Sequence, residues 1–216
     1  VSDIDMRRCG VRYDNRFEPR TKGMDYNHLA FTEMNVGVDS LYYSPDGMKV
    51  RLRACNMKEK SGFALSSLTF VASMDADRLH VHGFNLLTPY STVSADVDMD
   101  FTTFDKTNPG KARAAFKASV GADDVLLLAG EMLPRELKRQ LPKQPVTLQA
   151  RLEGNTRHCH LTDVYADVPS LVRLTLEGDV CHLDEPDKLT ADVSLDASVF
   201  GNGGRLSGTA RFSADG

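Results

Sequence analysis

The residues best suited to metal chemistry are the histidines and cysteines between positions 158 and 182. His158, Cys159 and His160 are consecutive, and Cys181 is followed by His182. On a strand, His158 and His160 share one face while Cys159 points to the other, so the strand offers only two ligands on a side. A structural zinc site needs four ligands that converge tetrahedrally. The sequence therefore predicts no metal at this cluster.

The cysteines are not predicted to form a disulfide either. In an antiparallel meander, the strand around residues 172–176 would separate Cys159 from Cys181, whereas the Cα atoms of bonded cysteines lie within about 7 Å. With Cys9 and Cys55, the chain has four cysteines. That number and their irregular spacing do not indicate a disulfide framework.

Two other polar clusters resemble ion sites but have simpler interpretations. His80 and His82 alternate on one strand face, where imidazoles are expected to be solvated. A calcium loop begins with acidic residues at alternate positions, and the chain has such a row: Asp96, Asp98 and Asp100. Phe101 stands where that loop needs a glycine, so the row is interpreted as a solvated acidic strand face.

The sequence contains no motif of a catalytic site. It has neither the G-x-S-x-G turn of a serine hydrolase nor the H-E-x-x-H motif of a zinc protease. The glycine-rich residues 201–204 are followed by no Lys-Ser or Lys-Thr pair, and they predict a hairpin turn instead of a phosphate loop. We therefore predict a non-enzymatic protein with no catalytic residues, no metal and no cofactor.

The elements that carry these residues are predicted to be one-sided β-strands. Apolar residues occupy every second position of one stretch: Leu189, Ala191, Val193, Leu195, Ala197 and Val199. A period of two places them on one face of a strand and the polar residues between them on the other. Because the same alternation recurs along most of the chain, we predict a mainly β fold, an antiparallel meander with a single apolar face.

The alternation breaks between Phe101 and Pro145. A short helix is predicted near 134–141, because Pro134 suits the first turn and Pro142 ends the helix. The apolar run at 125–128 is interpreted as a strand buried on both faces, and residues 112–120 are ambiguous. The chain then divides into three regions: an N-terminal meander at 1–103, an irregular and helical insertion at 104–144, and a C-terminal meander at 145–216 that continues the same sheet.

Composition limits the classes of partner. The 216 residues are 41% hydrophobic and 26% charged, with a formal net charge of −4. Nucleic acid is not expected, because phosphate binding needs a concentrated basic surface. No apolar run approaches the roughly 18 residues of a membrane-spanning helix, and no signal peptide is visible. Because the chain begins with Val1, we interpret it as a piece of a longer protein.

The apolar face must be covered by a second sheet, by its own far edge or by a ligand. A sandwich or barrel is the usual solution. Aromatic residues make up only 7% of the chain and tryptophan is absent, although large rings usually anchor sandwich cores. This composition favours an open trough, and the alternative is a β-sandwich interaction module that binds a protein through exposed sheet edges.

Several segments resemble the AsmA-like superfamily, in particular the TamB-type (translocation and assembly module) proteins of the Bacteroidota. They are PVTLQARLEGN at 145–155, VPSL at 168–171, LTLEGDV at 174–180 with DKL at 187–189, DSLYY at 39–43 and KEKSG at 58–62. The resemblance implies an open, β-taco-like trough with an apolar interior. It also implies a periplasmic location, with an inner-membrane anchor outside this segment, and a role in outer-membrane biogenesis.

The resemblance further implies that phospholipid or another acyl-chain ligand moves along the trough. An outer-membrane protein is an expected partner of other parts of the full-length chain. The residues predicted to line the lipid groove are those on the inward rows: Val93, Val97, Met99, Val146, Leu148, Leu174, Leu176, Val193, Leu195 and Val199. Ordinary core packing is the alternative role of these ten residues.

Overall fold

The structure is a computed structural model that describes residues 2–201 and 204–213, and it is mainly β. Within these residues the alternating segments form thirteen strands. Their bounds are β1 Ser2–Arg12, β2 Ala30–Ser44, β3 Gly47–Glu59, β4 Ala64–Leu65, β5 Ser67–Met74, β6 Arg78–Leu87, β7 Thr92–Asp100, β8 Ala112–Val120, β9 Val146–Gly154, β10 His158–Val168, β11 Val172–Cys181, β12 Thr190–Val199 and β13 Arg205–Ser213.

All strands belong to one antiparallel sheet. Apart from the two-residue β4, which pairs only with β3, each strand pairs with its neighbours in sequence, in the order β1-β2-β3-β5 and so on to β13. Within the described residues β1 and β13 are edge strands that do not pair with each other, so the sheet is open. The predicted antiparallel meander is confirmed. The sandwich architecture of the alternative is wrong, because the described strands form no second sheet.

Two α-helices lie in the long connection between β8 and β9. The helix predicted near 134–141 is confirmed as α2, Arg135–Gln140. The strand predicted at 125–128 is wrong, because these residues belong to α1, Ala122–Ala129. A four-residue apolar run does not distinguish a buried strand from a helix, and two aspartates in the first turn of α1 favour the helix. Neither helix is long and apolar enough to span a membrane, and the same holds for every helix in the described ranges.

The ambiguous stretch at 112–120 is the strand β8. It pairs with β9 along its whole length and with β7 from Ala112 to Ser119. Between positions 104 and 144 the chain therefore leaves the sheet twice but also contributes one strand to it. The sheet and its apolar face run without interruption from β1 to β13.

Local turn signals correspond closely to the observed connections. The β6–β7 register shifts between Val81 and Phe84, which marks a bulge at Gly83, where φ is +59°. The left-handed conformation favours glycine there. Strands β12 and β13 pair as the predicted hairpin requires, although Asn202 and Gly203 of its turn lie outside the described residues.

One end of the sheet carries the two longest connections, residues 13–29 and 121–145, which we call the end cap. The two segments meet where the Tyr26 hydroxyl donates a hydrogen bond of 2.8 Å to the carbonyl oxygen of Leu128. Since this contact joins the β1–β2 connection to the β8–β9 connection, it ties together two distant parts of the sheet at this end.

Buried polar side chains hold the end cap in place. Asp25 accepts hydrogen bonds from the Thr21 and Asn27 backbone amides and contacts the buried His28 ring at 3.0 Å. The Thr21 bond is the main cause of the lowered pKa of Asp25. In the other segment, buried Asp124 accepts hydrogen bonds from the hydroxyl groups of Thr88 and Ser91, which fixes α1 against the β6–β7 turn.

Candidate functional site

Cross-strand pairing gathers the apolar side chains of the whole sheet on one face. Residues directly opposite each other in an antiparallel pair place their side chains on the same face. Each row therefore follows from the observed register. One row crosses six successive strands, from β7 to β12, through Val93, Ala118, Leu148, Ala166, Leu174 and Ala197. A parallel row contains Val97, Ala114, Leu152, Leu161, Gly178 and Val193.

All ten predicted groove residues lie on this apolar face. Val93, Val97 and Met99 alternate along β7. Val146 and Leu148 lie on β9, Leu174 and Leu176 on β11, and Val193, Leu195 and Val199 on β12. Direct pairs join the strands, as in Leu176 with Leu195. The structure thus brings together every residue that the sequence assigned to the inward rows.

Within residues 2–201 and 204–213, no layer packs over the apolar face. Eight of the ten predicted groove residues are half-buried, while Leu148 is 37% and Val199 48% exposed. Among the described residues only four apolar side chains are buried, namely Leu65, Ala118, Ala150 and Cys159, and no side chain is fully buried. A closed core would bury these rows completely. The side chains of this face therefore contact only their neighbours within the sheet, and their outer surface is exposed to solvent.

The sequence prediction missed the part of the apolar face contributed by β8. Ala114, Phe116 and Ala118 of this strand continue the rows between β7 and β9. Apolar residues recur at every second position of this stretch, which is the pattern of a strand. The pattern is weak, because Ala115 stands where a polar residue is expected and the stretch is rich in alanine. On the same face, the rings of Phe70 and Phe84 stack with centroids 6.4 Å apart.

The opposite face is polar and carries a row of charges that crosses the strands. Arg113 donates two hydrogen bonds to the Glu153 carboxylate, of 2.7 and 3.2 Å. This pair raises the pKa of Arg113 and lowers that of Glu153. His80 forms a hydrogen bond with Asp98, which is the main cause of the lowered pKa of Asp98. These contacts link neighbouring strands on the polar face of the sheet.

The histidines at 158 and 160 meet one carboxylate. Nε2 of His158 and Nδ1 of His160 lie 2.8 and 3.0 Å from Oδ1 of Asp179 on β11. The hydrogen bonds, from His160 first and then His158, lower the pKa of Asp179. Both rings are exposed. Sequence reasoning missed this contact, because the register of β10 with β11 is not visible locally.

The predicted separation of Cys159 from Cys181 by a further strand is wrong. Residues 172–181 form the single strand β11, on which Cys181 pairs with His158, and Cys159 pairs with Val180. The two thiols nevertheless point to opposite faces, because neighbouring positions of β10 alternate. Both cysteines are free, and burial raises the pKa of Cys159.

Two hollows of the described chain lie on the polar face. One has a volume of about 540 Å³ and is lined by Gln149, Tyr165, Thr175 and Asp196 among others. Asp196 is paired with Arg205 at 2.5 Å, and this pairing lowers the pKa of its carboxyl group. These hollows are open to water and polar. The apolar face differs from them, since it is a continuous surface instead of a pocket.

Comparisons with protein-family models, with curated proteins and with solved structures find no match to this chain.

Proposed function

We propose that the chain is a non-enzymatic, periplasmic segment of a lipid-conducting protein of outer-membrane biogenesis. In this proposal the apolar face is a groove that shields acyl chains from water. The observation that carries it is the uncovered apolar face, which runs across every long strand of an open sheet. Exposure of such an apolar surface to water is unfavourable in free energy, and a bound apolar ligand would remove the surface from water.

The chemistry of the rows suits an acyl chain. Between β7 and β12 the two rows described above consist of Val, Leu, Ala and Gly. Such residues offer no charge or hydrogen bond that would select a headgroup. Each methylene that enters contributes about 0.8 kcal/mol, and the many equivalent positions along the wall have similar affinity. A chain held in this way slides instead of binding at one place.

The length of the face supports conduction over a distance. Eleven steps between the twelve strands of the continuous sheet, at about 4.8 Å each, give a path of about 50 Å along the strand order. Because the face is open along its length, headgroups stay in water while the acyl chains lie against the rows. The resemblance to AsmA-like proteins supports the same function and the periplasmic location.

Binding of a protein through the sheet edges is the second candidate function. All nine residues of the edge strand β13 are exposed, and an unpaired strand edge can add a strand from another chain. In a longer protein the same edge would accept the next strand of the meander. An outer-membrane protein remains a proposed partner of other parts of the full-length chain.

Native mass spectrometry of the purified chain, followed by extraction of bound material, tests the groove. We expect phospholipid to be carried, and to be lost when Leu148, Leu174 and Leu195 are replaced together by Asp. The matched control replaces Gln149, Thr175 and Ser194 by Asp. These positions adjoin the three leucines in sequence but lie on the polar face, so lipid should be retained.

Far-UV circular dichroism establishes that both triple variants fold. A lipid-free mass for the unaltered chain, together with failure to take up lipid from phospholipid vesicles, would overturn the proposal. Retention of lipid by the folded leucine variant would overturn it as well. Binding of a peptide strand at β13 without lipid would favour the second candidate function.

A further inference from the structure

We propose that His80, His82 and Asp98 form a binding site for a borderline divalent transition metal ion, with Zn²⁺ as the reference ion. The site lies on the polar face and is independent of the proposed lipid groove on the opposite face. The sequence predicted no metal here, because two imidazoles on a solvent-facing strand face are expected to be solvated. The third ligand comes from the neighbouring strand.

Strand geometry brings the three side chains together. His80 and His82 occupy alternate positions of β6, so both rings project from the same face. Asp98 pairs directly with His80 across the β6–β7 ladder. Its Oδ1 forms a hydrogen bond with His80 Nδ1 and lies 3.4 Å from His82 Nε2. The two rings are nearly parallel, with centroids 6.1 Å apart.

The spacing of the ligand atoms fits one metal ion. One nitrogen from each ring and one carboxylate oxygen all lie within 4.8 Å of one another. Zinc bonds of 2.0–2.1 Å place tetrahedral ligands about 3.4 Å apart, so small side-chain rotations close the site. Imidazole and carboxylate are ligands that zinc accepts. Since His82 is exposed and the other two are half-buried, an ion can enter from solvent and keep water as its fourth ligand.

A second carboxylate is placed to orient the exposed histidine. Oδ1 of Asp96 lies 3.7 Å from His82 Nδ1, on the side of the ring away from Asp98. Histidines that bind metals through one nitrogen usually present the other to a carboxylate. Asp96 is held in position because it accepts a 2.8 Å hydrogen bond from the Gly83 amide. Asp96 is therefore a positioning residue.

The charges around the site favour a cation. Asp96 and Asp98 face it from β7, and the Asp75 carboxylate is close enough to interact with His80. The nearby arginines are Arg113 on β8, which interacts with Asp98, and Arg78, which interacts with Asp75. Each is also paired with a further carboxylate, Arg113 with Glu153 and Arg78 with Asp100. The carboxylates therefore outnumber the arginines, and the surroundings remain attractive to a divalent ion.

The chain contains its own comparison cluster. His158, His160 and Asp179 repeat the arrangement of two alternate histidines and an aspartate on the next strand. Within the part of the chain that the structure describes, only the His80 cluster has three ligand atoms within 4.8 Å. The ligand atoms of the other cluster are spread more widely, so they would need larger side-chain movements to converge on one ion.

Isothermal titration calorimetry with Zn²⁺ at neutral pH tests the site, with the visible absorption of Co²⁺ as a spectroscopic check. We expect one ion per chain. His82→Ala should weaken binding more than about a hundredfold, because loss of a ligand exceeds the 10–100-fold effect of an orienting group. Asp96→Asn should weaken it about tenfold, and His160→Ala should leave it unchanged.

The controls separate this site from the free thiols. His82→Ala retains all four cysteines, so the difference between it and the unaltered chain reports the histidine site alone. Circular dichroism confirms that each variant folds. Unchanged zinc affinity in His82→Ala would overturn the proposal, and so would a loss confined to His160→Ala. Neither result bears on lipid binding, which is measured separately.

Discussion

Truncation of Leu148 tests whether the apolar face is uncovered. Burying a leucine side chain completely is worth about 1.5–3 kcal/mol. Leu148 is 37% exposed, so burial of its side chain contributes a little under two-thirds of this free energy. No enclosed cavity would form, because the outer side of the residue already faces solvent. Leu148→Ala should therefore lower the free energy of unfolding by about 1–2 kcal/mol.

A closed core predicts a different value. There, Leu→Ala removes the transfer energy and also leaves a cavity, with a cost of about 2–5 kcal/mol. Urea unfolding of the lipid-free chain at pH 7, followed by far-UV circular dichroism, measures the difference between the variant and the unaltered protein. The lipid-free state matters because a bound ligand would add its own stabilisation.

The matched control is Gln149→Ala on the same strand. Gln149 adjoins Leu148 but projects from the polar face, so its truncation should change stability by no more than about 0.5 kcal/mol. A loss of more than about 3 kcal/mol for Leu148→Ala, with the control unchanged, would refute the reasoning. It would mean that the face is covered in solution and that the rows form an ordinary core.

Three further predictions concern the polar face, the end cap and the sheet. Stability should fall as the pH drops below about 4. The pKa values of Asp98 and Asp179 are lowered in the folded chain, so these carboxylates stabilise the fold while they are ionised and cease to do so once they are protonated. In Asp179→Asn the urea concentration at the unfolding midpoint should depend less steeply on pH than in the unaltered chain. The same pH dependence in both proteins would contradict this prediction. Asp124→Ala should cost about 1–3 kcal/mol, since two buried hydroxyl groups lose their acceptor, and limited proteolysis should then cleave faster within 121–145. Gly178→Ala should lower the free energy of unfolding by more than about 1 kcal/mol, because φ is +148° and a Cβ atom would overlap a backbone oxygen. The control is Gly208→Ala, which should be nearly neutral in the same urea measurement, because a Cβ atom at Gly208 has no other atom within 4 Å.

The apolar face was predictable because it depends on a local property. A period of two assigns each residue to a face wherever the strand is regular, and this assignment holds for all ten predicted groove residues. It failed where local signals conflict. The run at 125–128 is equally compatible with a strand and a helix, and the alanine-rich β8 has a weak alternation.

The contacts of the polar face were not predictable, because they join residues far apart in sequence. His80 and Asp98 are eighteen positions apart and meet only through the β6–β7 register. That register contains a bulge, which changes which residues face each other. The pairing of both His158 and His160 with Asp179 depends in the same way on the β10–β11 register.

The sequence by itself determined a mainly β chain of one-sided strands, because alternation and turn residues act over a few positions. Only the tertiary structure decided between the open trough and the sandwich, because the described strands form a single open sheet with no second layer over its apolar face. Covering a face requires segments distant in sequence to fold back onto it, and the described chain instead sends its long connections to one end, where Tyr26 meets Leu128. Whether apolar rows become a core or a groove is therefore a property of how the sheet is arranged in space, and not of the rows themselves.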